Sequence, residues 1–115
     1  MYNSDKNEKD NILQLITFSV DKEEYGIGVL EVEEVIRLPE VQKLPKSPDW
    51  LKGIISLRGE VIPIVDLRIK FGLREKDNDK FKRCINVSIN SKKVGMIVDK
   101  VSKVIRVPKS EIKEA

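Results

Sequence analysis

The chain has 115 residues, 22 basic against 19 acidic, for a net charge of +3, with 40% hydrophobic and 36% charged residues. It has no histidine and one cysteine, Cys84. That excludes an internal disulfide and removes both the usual general base near neutral pH and the commonest zinc ligand. No apolar run approaches the roughly 20 residues needed to span a bilayer, and the interleaved charges argue weakly for nucleic acid.

Residues 1–11 are polar and aperiodic, which predicts a flexible N-terminal tail without a signal peptide's apolar segment. A cytoplasmic location follows as the default. Leu13 to Val20 alternates apolar and polar residues, a strand signal. Asp21 to Glu24 supplies a turn, and Tyr25 to Val29 returns as a second strand. Leu30, Val32, Val35 and Ile36 are spaced for a short helical turn. Leu38-Pro39 and Leu44-Pro45 mark extended or turn geometry, because proline pushes the preceding residue out of the α region. Ser47-Pro48-Asp49-Trp50-Leu51 resembles a helical turn, with Ser47 as N-cap and Pro48 at the first helical position.

Next comes Gly53-Ile-Ile-Ser-Leu-Arg-Gly-Glu-Val-Ile-Pro-Ile-Val-Asp-Leu-Arg-Ile-Lys-Phe-Gly72. It predicts a strand, a tight turn at Arg58-Gly59, a second strand and a short helix closed by Gly72. Apolar residues fill both strands almost continuously, as where both strand faces are buried. Residues 73–82 are charged and rich in Asp and Asn, a loop. Cys84 to Ile89 alternates, Asn90-Ser91 turns and Val94 to Val98 returns. Val101, Val104, Ile105 and Val107 continue the apolar positions up to Pro108. Short strands separated by turns predict small barrels and not a βαβ fold.

The chain echoes itself. Gly26 to Pro39 reads GIGVLEVEEVIRLP and Gly95 to Pro108 reads GMIVDKVSKVIRVP. Val29, Val32, Val35, Ile36, Arg37 and Pro39 coincide with Val98, Val101, Val104, Ile105, Arg106 and Pro108 at one offset, 108 − 39 = 69. A shared offset with matching VIR-x-P ends implies duplication. The twin of Gly53 would then fall near 53 + 69 = 122, beyond Ala115. The expectation is an incomplete chain or a strand-exchanged homo-oligomer.

Arg58 is the leading functional candidate: a cation at the tip of an apolar frame, whose planar guanidinium suits bidentate contact with a partner's oxygens. The competing roles are a solvated turn residue or an ion pair with Asp66 or Glu60. Asp66 reads as the cap of the turn at Leu67 to Lys70 in preference to a lone catalytic carboxylate. Glu31, Glu33 and Glu34 form an acidic cluster in which Glu34, between Val32 and Val35, is placed to flank an apolar groove. Cys84 reads as a small buried strand residue. Trp50 reads as a packing anchor or an interface residue. Arg68, Lys70, Arg74, Lys80, Lys82 and Arg83 make a basic run diluted by Glu75, Asp77 and Asp79. No nucleophile–base pair, metal-ligand spacing or phosphate loop is visible, so neither catalysis nor a cofactor or metal is expected.

The residues GIISLRGEVIPIVDLRIKFG at 53–72, EEYGIGVLEVEEVIRLPEV at 23–41 and VGMIVDKVSKVI at 94–105 resemble the CheW family of bacterial chemotaxis adaptors, from about Leu13 onward. The resemblance implies an all-β domain over 12–115, made of two SH3-like small barrels around a shared core, with one barrel lacking C-terminal strands. It implies a non-catalytic adaptor that binds the regulatory domain of the histidine kinase CheA and the cytoplasmic tip of methyl-accepting chemoreceptors. Arg58 matches the family's sensitive arginine in the LRG turn, and Glu34 a sensitive acidic position. Ile27, Val29 and Val35 are groove candidates by position. The alternatives are a CheW-like regulatory domain of a larger signalling protein, and a small basic barrel that binds nucleic acid.

Overall fold

A computed structural model describes residues 11–111. Eight strands form two sheets. They are β1 (Ile12–Val20), β2 (Glu23–Gly28), β3 (Val32–Ile36), β4 (Leu51–Leu57), β5 (Glu60–Asp66), β6 (Arg83–Ile89), β7 (Lys92–Val98) and β8 (Lys100–Pro108). One four-residue helix, α1 (Leu67–Lys70), follows β5, and 3-10 turns span Val29–Glu31 and Lys109–Glu111. The expected tail falls on residues 1–10, outside the described set, except for Asn11.

The smaller sheet has the order β2-β1-β8 and the larger β3-β6-β7-β5-β4. The all-β expectation holds, and in place of the two expected barrels stand two sheets, neither of whose ladders closes among the described residues. In the larger sheet β3 and β4 are the two ends of the pairing order. Its curl is held by the connector between them, where Gln42 and Ile54 exchange two backbone bonds of 2.9 Å. Gly53 makes that approach possible. It adopts φ +143°, and a Cβ there would lie 2.1 Å from the Gln42 carbonyl oxygen.

The internal echo is a symmetry of hydrogen-bond register. In the first copy Ile16 faces Ile27 and Leu15 faces Gly28. In the second, Ile85 faces Met96 and Cys84 faces Ile97, the same pairs moved by the repeat offset. The third strands are exchanged. β3 pairs with β6 of the other copy, Val35 opposite Ile85 and Val32 opposite Val87. β8 pairs with β1, Val104 opposite Ile16 and Val101 opposite Phe18. Each copy thus gives a hairpin to one sheet and a strand to the other.

This exchange locates the core. Phe18 and Val20 from β1 pack with Leu67, Ile85, Val87 and Val98 between the sheets. A second cluster inside the larger sheet joins Ile55, Ile62, Ile64, Cys84 and Ile97. Each buried aliphatic side chain contributes on the order of 2 kcal/mol by leaving water.

Three local expectations need correction. Residues 32–36 form strand β3, because Val32, Val35 and Ile36 are β-branched and β6 offers a ladder partner. Ser47 caps no helix: its hydroxyl donates back to the Leu44 carbonyl, and Leu51 N–H closes a single turn on Pro48. The β4–β5 hairpin is not buried on both faces throughout. Ile62, Ile64 and Asp66 point inward while Ser56 and Val61 face solvent, the alternation of a half-buried antiparallel hairpin. Its turn is as expected, with Arg58 at φ 50° and Gly59 at φ 80°, the pair of positive values that a two-residue hairpin turn requires.

Candidate functional site: an ion pair across the curled sheet

Arg58 and Glu34 touch. The Arg58 Nη2 donates to Glu34 Oε1 at 2.6 Å, joining the β4–β5 tip to β3. These strands stand at opposite ends of the sheet, so the pair marks how far it curls. The carboxylate partner of Arg58 is therefore neither Asp66 nor Glu60. Asp66 is buried and caps α1, accepting from Arg68 N–H at 3.0 Å and Ile69 N–H at 3.4 Å, as its position before the turn predicts. Glu60 accepts instead from Lys93 at 2.7 Å.

Glu34 reaches Arg58 because of a β-bulge. Val32 faces Val87 and Glu34 faces Asn86, which leaves Glu33 as the extra residue. A bulged strand re-aims its side chains, and Glu34 turns toward both Arg58 and the buried Asn86. The Asn86 Nδ2 donates to Glu34 Oε1 at 3.5 Å, and the Cys84 thiol donates to Asn86 Oδ1 at 3.4 Å. A line of polar contacts therefore runs from a buried thiol to an exposed guanidinium. The guanidinium's hydrogen bond holds the Glu34 carboxyl below the usual carboxylate range, and the Glu34 carboxylate raises the Arg58 value in return. Burial, and then the Glu34 charge, pushes the Cys84 thiol up to about 12.

Around this pair Lys93 donates to Glu60 and lies 3.3 Å from Glu33, which together raise its pKa. The result is a surface mosaic of exposed Glu33, Arg58 and Glu60 with half-buried Glu34 and Lys93, and with Val35 at 39% and Val61 at 65% exposure on the same sheet. Charges of both signs beside exposed apolar side chains suit a polar-rimmed protein contact. Among the described residues no group of three or more acidic, cysteine or histidine side chains is placed to hold a metal.

Of the sequence-derived candidates, Arg58, Glu34 and Val35 share this sheet. Ile27 does not join them; it packs against the core between the sheets. Val29 lines a separate cavity beside β1 and β2. The basic run is dispersed. Arg68 is engaged by Asp99 at 2.6 Å, the buried Lys82 bonds to the Lys76 carbonyl, and Lys70 stacks on Trp50 at 3.9 Å. Asn86 and Lys93 were absent from the candidate set. A signal for Asn86 existed: its twin at the repeat offset is Thr17, also a buried polar residue at a bulge, bonded both ways to the Lys103 backbone.

The fold and site define a small all-β domain with a cluster of ion pairs on one face of its larger sheet. The CheW-like domain family matches residues 14–115, and the chain belongs to it. It is 31% identical over 109 residues to the chemotaxis protein CheW of Helicobacter pylori, covering 95% of this chain and 66% of that protein. It is 34% identical over 102 residues to CheW of Klebsiella aerogenes, covering 89% and 61%. The crystal structure of the scaffolding protein TtCheW from Thermoanaerobacter tengcongensis superposes with a TM-score of 0.82 at 37% identity, covering 88% of this chain and 69% of that one. The chain thus spans about three fifths to two thirds of the curated relatives it matches. No helix among the described residues is long and apolar enough to cross a membrane.

Proposed function

We propose that this domain is a non-catalytic adaptor of bacterial chemotaxis, coupling the cytoplasmic tip of chemoreceptors to the regulatory domain of the histidine kinase CheA. Family membership supports the class of function, and the exposed Arg58–Glu34 pair is the observation that supports the contact. Held by Glu34, the guanidinium loses little rotamer freedom on binding, so its unused N–H donors meet a partner's oxygens at reduced entropic cost. Val35 and Val61 supply apolar area beside it. Glu34 acts as the positioning residue for Arg58.

The test is titration of the chain with the isolated CheA regulatory domain and, separately, with a receptor-tip helical hairpin. Arg58→Ala weakens binding of at least one partner tenfold or more while leaving the circular dichroism spectrum that of the folded domain. Unaltered affinity for both partners refutes the Arg58 assignment. A second reading has one observation in its favour. The chain is 30% identical over 94 residues to the chemotaxis protein CheV3 of Helicobacter pylori but covers only 30% of it, so this kind of domain also occurs within longer chemotaxis proteins.

A further inference from the structure

Asn86 is a buried amide, and its twin in the repeat shows what a purely structural polar residue does at this position. In the smaller sheet the ladder steps from Ile16 opposite Val104 to Phe18 opposite Val101. The Thr17 hydroxyl closes that gap, accepting from the Lys103 N–H at 3.1 Å and donating to the Lys103 carbonyl at 3.0 Å. Thr17 and Lys103 correspond to Asn86 and Glu34, since 86 − 17 = 103 − 34 = 69. In the larger sheet, however, Glu34 and Asn86 face each other within the ladder. The Asn86 amide closes no backbone gap, and both of its bonds go to side chains.

Burying an amide costs free energy unless its polar atoms are met. Here they are met in a fixed order. The Cys84 thiol donates to Oδ1 at 3.4 Å, which sets the flip of the amide and leaves Nδ2 to donate to Glu34 Oε1 at 3.5 Å. That bond is long, and the carboxylate charge strengthens it. Room for the amide is made across the ladder by Gly95, where a Cβ would lie 3.0 Å from Asn86 Oδ1. Glu34 Oε1 therefore accepts from a buried donor behind it and from the exposed Arg58 in front. The Arg58 guanidinium is the main cause of the lowered Glu34 pKa, and the Asn86 amide adds to it. An exposed ion pair by itself holds two long side chains weakly, because each keeps much of its rotamer freedom. A rigid amide behind the carboxylate removes that freedom from the glutamate.

We propose that Asn86 is a positioning residue for partner binding: its buried amide, oriented by the Cys84 thiol, anchors the Glu34 carboxylate from behind, so that Arg58 is offered to a partner in one orientation. Its effect on affinity rests on the Arg58 contact proposed above. Its effect on Glu34 and Arg58 in the free chain does not.

The test uses two variants of the full chain, isotopically labelled for NMR. Asn86→Val removes both polar contacts at similar volume, and Asn86→Thr installs the residue found at the twin position. In each, the Glu34 side-chain carboxyl titrates at higher pH than in the parent, and the heteronuclear NOE of the Arg58 Nε–H falls as the guanidinium gains motion. The urea midpoint of Asn86→Val stays at or above the parent value. Affinity for whichever partner Arg58→Ala weakens, the isolated CheA regulatory domain or the receptor-tip hairpin, falls about threefold or more. A Glu34 titration and an Arg58 NOE unchanged in both variants overturn the proposal. If the urea midpoint drops while those two signals stay put, the amide is only structural, and the proposal is overturned again. Parent-level binding by both Asn86 variants, where Arg58→Ala binds weakly, overturns it as well. If Arg58→Ala itself binds both partners as the parent does, the contact reading fails, and the two free-chain signals still decide the role of Asn86.

Discussion

Alanine at two positions related by the internal repeat provides a sharp test of the packing argument. At Gly95 the new Cβ falls 2.5 Å from Ile64 Cδ1, 2.8 Å from Cys84 Sγ and 3.0 Å from Asn86 Oδ1. Ile64 and Cys84 are both fully buried, so neither can swing outward. Overpacking of this kind costs about 1–3 kcal/mol, and three simultaneous contacts put Gly95→Ala near the top of that range. Reduced freedom of the unfolded chain returns about 0.5–1 kcal/mol, leaving a net loss of about 2 kcal/mol. At Gly26 the only close neighbour is the tip of Leu15, which has room to move, so Gly26→Ala gains about 0.5 kcal/mol. The two variants should differ by about 2.5 kcal/mol. With a urea m-value of about 1.5 kcal/mol/M, their midpoints in equilibrium denaturation separate by roughly 1.5–2 M. Midpoints within about 0.5 M of each other would refute the claim that β5 crowds Gly95 while, among the described residues, only Leu15 meets Gly26.

Three further outcomes are expected. Asp99→Ala removes the anion that holds the mostly buried Arg68 and the acceptor for Asp21 N–H, and destabilises the fold by about 2–3 kcal/mol in the same assay; a loss under about 0.5 kcal/mol would show that Asp21, 3.6 Å from Arg68, suffices. Cys84, fully buried and with its thiol pushed up to about 12, resists an aromatic disulfide reagent at pH 8 until denaturant is added. Rapid colour development in native buffer would contradict its placement. Glu34 titrates below 4.5 while Arg58 is present and moves back toward 4.5 in Arg58→Ala, as read from its side-chain carboxyl resonance. Because the folded value is depressed, the pair's contribution is present above pH 4.5 and fades as pH falls through the lowered native value. An unchanged Glu34 midpoint in the variant would mean that the ion pair does not form in solution.

The strands and their turns were legible because period-2 alternation, Arg58-Gly59 and Asn90-Ser91 are local signals. The repeat was legible as spacing, and its structural meaning is an exchange of third strands between the two copies. That exchange lies outside any local window. Residues 32–36 show the limit. Val32, Val35 and Ile36 fit a helical stripe as well as a strand, and only β6, some 50 residues on, decides between them. Glu34 and Arg58 were each chosen separately, yet their contact depends on a bulge and on sheet curl, neither of which is written near either residue. Ile27 shows a related limit: apolar type does not say whether a side chain meets solvent or the opposing sheet, and this one packs against the core.

The exchange of third strands also governs how the chain can fold. Thr17 meets Lys103 across 86 residues, and Asn86 meets Glu34 across 52, so neither sheet can be finished from one half of the chain. Loop closure over such separations must precede most of the stabilising contacts, which places the domain among slow, high-contact-order folders. It also makes the two halves interdependent for survival. A protease that opens the exposed 73–81 segment would cut between two fragments, each still clasped by a strand of the other.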